Sequence, residues 1–160
     1  MSLKPRAPLA SLIVAAVGLA CLHVPATSAH CEIPCGIYGD RMRIKLLEEH
    51  TRTLEKSMRK IKELSQAHTD GQETNQLIRW VRNKEDHANK IQTIVYQYFM
   101  NQRIKPVDEG DKGHQAYVDQ LTLLHRMLVT AMKCKQTVEP AHIKELRGLI
   151  DKFSKLYFEE

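Results

Sequence analysis

Between residues 40 and 157 apolar side chains return every three or four positions, in four separate runs, with charged residues filling the gaps. That spacing lays one stripe of a helix against a core. In the first run Ile44, Leu47, Leu54, Met58 and Ile61 carry the stripe from Asp40 to about His68, with Thr51 filling one gap, until Asp70-Gly71 breaks it. Leu77, Val81, Ala88, Ile91, Val95 and Tyr98 predict a second helix to about Gln102, ahead of Pro106 and a loop over residues 108–113. Tyr117, Leu121, Leu124, Leu128 and Ala131 predict a third from about Gly113 to Lys135. Pro140 opens a fourth, because a missing N–H costs nothing in a first helical turn, and Ile143, Leu146, Ile150, Phe153 and Tyr157 continue it. No run alternates apolar and polar residues as a strand does. The expected fold class is therefore all-α, an antiparallel four-helix bundle over residues 39–160.

The first 29 residues do not belong to that pattern. They contain no acid, start with Lys4 and Arg6, run apolar from Leu9 to Ala20 and end Ala26-Thr27-Ser28-Ala29. This is the layout of a secretory signal peptide. Small residues at Thr27 and Ala29 place the expected signal-peptidase cut between Ala29 and His30; a lipoprotein-type cut before Cys21 is the rival. The apolar run is too short and too interrupted, by His23 and Pro25, for a spanning anchor. An exported chain with no stable membrane association after cleavage is expected. Net charge is +5, from 24 basic against 19 acidic residues, but the signs are interleaved along the helices, which argues against a nucleic-acid partner.

Removal of Cys21 with the signal leaves Cys31, Cys35 and Cys134, an odd number that cannot form a fully paired disulfide framework. The cut would expose His30-Cys31-Glu32-Ile33-Pro34-Cys35-Gly36-Ile37-Tyr38 at a free α-amine. This hook over 30–38 offers the amine and imidazole of His30, the backbone nitrogen and thiolate of Cys31, and the thiolate of Cys35. Pro34 and Gly36 bend the chain so that both sulfurs can meet one centre. Nitrogen and sulfur donors in a plane suit Ni(II) or Cu(II), whereas zinc prefers a tetrahedron. A Cys31–Cys35 disulfide stapling the terminus is the competing reading.

The string His-Cys-x-x-Pro-Cys-Gly-Ile-Tyr, followed by a helical domain of this size, closely resembles the nickel-containing superoxide dismutases, with matches at His30, Cys31, Pro34, Cys35, Gly36 and Tyr38, and a Tyr98-Phe99 pair late in the second helix. The resemblance implies a nickel ion held by His30, Cys31 and Cys35 and cycling between Ni(II) and Ni(III), with the His30 imidazole as axial ligand of the oxidised state. It also implies superoxide as the small anionic substrate, gating of the open axial face by Tyr38 and Tyr98, and a homohexamer. Some family members hold the axial imidazole with a Glu early in helix one and an Arg in helix two. Lys45 stands where that Glu would fall and no Arg clearly matches, which leaves Glu48, Glu49, Asn83 and His87 as candidate partners of His30. An exported metal-capturing bundle that binds nickel without turnover uses the same hook and is the alternative function.

Other residues carry plainer expectations. His50, His68, His87, His114, His125 and His142 are scattered, and at least four of them are expected at the surface. Cys134 is expected as a lone buried or half-exposed thiol, with an intermolecular disulfide as the alternative. The basic run from Lys56 to Lys62 reads as a solvated helix face.

Overall fold

The computed structural model describes residues 39–67 and 70–158, so the expected signal segment and the hook lie outside the described residues. The chain forms α1 (Asp40–Ala67), α2 (Gly71–Thr93) running directly into a π-helical segment (Ile94–Arg103), α3 (His114–Gln136) and α4 (Pro140–Phe158). No strand occurs among the described residues. Helix α1 packs on α2 and α4, and α3 packs on α2 and α4, which closes the four into a ring around one core. The bundle is antiparallel: Asp40, at the start of α1, bonds to Arg103 at the end of the π segment and to Tyr157 at the end of α4.

Helix ends follow local chemistry. Asp70 does more than interrupt α1, since its Oδ1 accepts the Glu73 backbone N–H at 2.8 Å and so caps α2. The loop before α3 turns at Gly110 and Gly113, whose φ values of 91° and 98° suit glycine. Pro140 is the first residue of α4, as its ring predicts.

The π segment meets α4 through buried aromatic rings. Phe99 is fully buried and meets Phe153 edge to face at 4.9 Å between ring centroids. The expected stripe of α1 holds, with Ile61 only half-buried. Two stripes shift. In α2 Val81 is exposed and Leu77 half-buried, and the first buried residue is Lys84. In α3 the buried set is Leu124, Met127, Thr130, Ala131 and Cys134, while Tyr117, Leu121 and Leu128 are half-buried. A helix gripped by two neighbours buries a wider face than one stripe describes.

Lys84 is an unusual core residue, 5 % exposed. Its Nζ donates to the carbonyl oxygens of Lys135 and Thr137, the latter at 3.3 Å, and so satisfies the C-terminal end of α3 from a different helix. Lys84→Met should fill the same space yet strand those carbonyls, lowering stability by about 2–3 kcal/mol. A urea midpoint unchanged from the parent would remove this role.

Candidate active site

Asp40 opens α1 two residues after Tyr38, with its carboxylate at the end of the helix where backbone N–H groups favour negative charge. Three side chains converge on it with four hydrogen bonds. Tyr98 Oη donates to Oδ1 at 2.5 Å and Tyr157 Oη to Oδ2 at 2.9 Å. Arg103 forks over both oxygens, Nε to Oδ1 at 2.7 Å and Nη2 to Oδ2 at 2.9 Å, the two-pronged geometry in which a guanidinium holds a carboxylate best. The guanidinium carbons of Arg43 and Arg103 lie 5.1 and 5.5 Å from the Tyr98 ring centroid.

The π-helical winding makes this cluster possible. Tyr98 and Arg103 are five residues apart, and at 3.6 residues per turn they would point about 140° away from each other. With bonds reaching five residues back, as in Ile104 N–H to Phe99 O at 2.9 Å, side chains five apart come onto one face, and both reach Asp40. Such insertions are frequent at functional sites.

Electrostatics tighten the cluster. Burial alone would raise the Asp40 pKa, but hydrogen bonds from Arg103, Tyr98 and Tyr157 outweigh it and hold the carboxyl below its ordinary range. Burial and the bond to Asp40 push the Tyr98 phenol up to about 12. Tyr157 is raised for the same reasons. Asp40 therefore stays ionised and Tyr98 stays protonated across the neutral range.

Of the expected site residues, Tyr98 lies in this cluster, at the end of the bundle where the chain enters from the hook. His30, Cys31, Cys35 and Tyr38 lie outside the described residues. The reading from sequence missed Asp40, Arg103 and Tyr157 as partners of Tyr98. Lys45, Glu48 and Glu49 are exposed. Asn83 donates to Ser57 Oγ at 2.9 Å, and His87 faces His50. The histidines fall as expected: among the five described, His125 is exposed, His87, His114 and His142 are partly exposed, and His50 is buried. Cys134 is a free, buried thiol whose pKa burial pushes up to about 11, which leaves it without the access an intermolecular disulfide needs. The basic run is solvated as expected, Arg59 and Lys60 both pairing with Glu63 beside an open groove of about 580 Å³. No helix among the described residues is long and apolar enough to cross a membrane.

The described residues form an all-α four-helix bundle with a charged tyrosine cluster at one end, and the sequence just before it carries a histidine and two cysteines. The match to known families is specific. The chain belongs to the nickel-containing superoxide dismutase family, whose model matches residues 25–160 and so takes in His30–Tyr38 together with all four helices. No curated protein matches the chain, and no solved structure does. The protein is thus an oxidoreductase acting on superoxide, with nickel as its cofactor.

Proposed function

We propose that signal peptidase cuts between Ala29 and His30 and that the new terminus is the nickel site of an exported dismutase. The carrying observation is the donor set itself: an amine, an imidazole, an amide nitrogen and two thiolates within six residues, inside the family match and directly after a signal-like segment. Those donors fit the metal, since anionic sulfur and deprotonated nitrogen stabilise a higher oxidation state and a planar arrangement suits Ni(II). His30, Cys31 and Cys35 are the ligands. Bound there, nickel supplies one-electron exchange between Ni(II) and Ni(III), by which two superoxide anions and two protons become dioxygen and hydrogen peroxide.

The surrounding residues bind and exclude. Tyr38 and Tyr98 would screen the bound metal from molecules large enough to oxidise the thiolates. Tyr98 donates its hydroxyl hydrogen bond to Asp40, so it offers an incoming anion a wall rather than a donor; positive charge near it comes from Arg43 and Arg103. The active assembly is a homohexamer in the exported compartment, with neither nucleic acid nor membrane as a stable partner; exposed Ile78 and Val81 on α2 supply apolar surface for contacts between copies.

The test is the terminus. Amino-terminal sequencing of the purified protein should begin at His30, with one nickel per subunit, and a chain carrying one extra residue before His30 should lose both nickel and activity, because its α-amine is moved away. Full activity in the extended chain would overturn this coordination. Nickel bound at His30 without superoxide turnover would favour metal capture instead.

A further inference from the structure

Across the seam between α1 and α2, the Nδ1 atoms of His50 and His87 lie 3.1 Å apart, with the rings edge to face at 4.9 Å between centroids. A pair so placed admits two occupants: a proton shared between the rings, or a metal ion taking a lone pair from each. At a metal–imidazole distance of ~2.0–2.1 Å, donors 3.1 Å apart subtend about 100° at the metal, close to the angle between neighbouring ligands in tetrahedral, planar and octahedral shells. Nothing has to move far.

The surroundings favour the neutral rings that a metal requires. Burial, then His87 and Lys90, lower the proton affinity of His50, against Glu49. Burial, then Lys90, lower that of His87, against Asp86 and Glu49. Both side chains stand in the interior of long helices packed on each other, so their approach is fixed by the fold rather than by a loop. His50 is 9 % exposed, whereas His87 is half-buried and opens the pair to solvent.

We propose that His50 and His87 form a second metal site, separate from the hook, that takes a late first-row divalent cation through both imidazoles. No group of three His, Cys, Asp or Glu side chains able to hold a metal occurs among the described residues, so water completes the shell. A site with two protein ligands exchanges its metal, unlike the hook. Both imidazoles belong to α1 and α2, so the site is independent of how residues 30–38 bind nickel.

Zinc is the probe, added to the mature protein with its nickel already in place. One zinc per subunit should bind beyond the nickel content at neutral pH, shifting the His50 and His87 ring-proton resonances together. His50→Gln and His87→Gln, which keep polarity and approximate size, should each weaken zinc at least tenfold while nickel content stays as in the parent. The ring resonances of the parent decide the matter should either variant misfold. Zinc binding undiminished in both variants, or ring signals that ignore zinc, would overturn the site and leave a shared proton as the whole explanation of the pair.

Discussion

Serine at Cys31 or at Cys35 should abolish superoxide dismutation while the helices survive. A thiolate is anionic, soft and strongly electron-donating; a serine hydroxyl at neutral pH is a neutral, hard donor that neither holds nickel in this set nor stabilises its higher oxidation state. A fall of about a thousandfold or more is expected, equivalent to ~4 kcal/mol of added barrier. The four helices are held by contacts among residues 40–158, to which neither sulfur belongs by position. Among the described residues the buried core runs from Ile44 and closes on Phe99, Phe153 and the α1–α4 seams. Circular dichroism and the urea midpoint should therefore match the parent. If either serine variant dismutates superoxide at the parent rate, the proposed ligand set fails; if helicity falls with activity, the separation of hook from bundle fails.

How much of this was legible before any coordinates depended on whether the cause was local. Helix ends came within one or two residues because Asp70, Gly113 and Pro140 act on their own backbone neighbours. The hook donors could be named for the same reason, since they are contiguous and no fold is needed to list them, but they lie outside the described residues. The Asp40 cluster was not legible, since it joins α1, the π segment and α4, and since a 3.6-residue period puts Arg103 off the face that holds Tyr98. Nothing in the local sequence marks Lys84 as buried; what buries it is the end of α3, about fifty positions along the chain. His50 and His87 lie 37 residues apart, a separation that no helical spacing rule reaches. Val81, by contrast, fitted its stripe and lies exposed, because α2 reaches its first buried position only at Lys84.

Asp40→Ala should have the largest effect of any change outside the hook. It removes the acceptor for two phenols and the counter-charge for a forked arginine at once, leaving Arg103 near Tyr98 with no carboxylate between them. Because the pair is partly buried, with side-chain exposures of 31 % for Arg103 and 19 % for Asp40, a loss of about 2–3 kcal/mol is expected, rather than the larger penalty of a fully buried break. The sign with pH follows from the lowered carboxyl. Stabilisation by Asp40 is complete above the unfolded aspartate pKa, ~3.9, and disappears as pH falls through the lower folded value. The gap between parent and variant in urea should accordingly be wide at pH 7 and close below about pH 4. At the alkaline end the Tyr98 phenol, held up to about 12 by burial and then by the Asp40 hydrogen bond and charge, should ionise at lower pH in the variant, which ultraviolet titration of phenolate resolves against Asp40→Ala combined with Tyr98→Phe. Given the screening role proposed for Tyr98, turnover should drop at least tenfold, ~1.4 kcal/mol, because its ring is no longer held by Asp40. Tyr98→Phe alone keeps the ring and the Arg103–Asp40 fork, so its stability loss should stay near 1 kcal/mol. An Asp40→Ala protein with the parent's urea midpoint and phenol titration would show that this carboxylate neither braces the bundle end nor positions Tyr98.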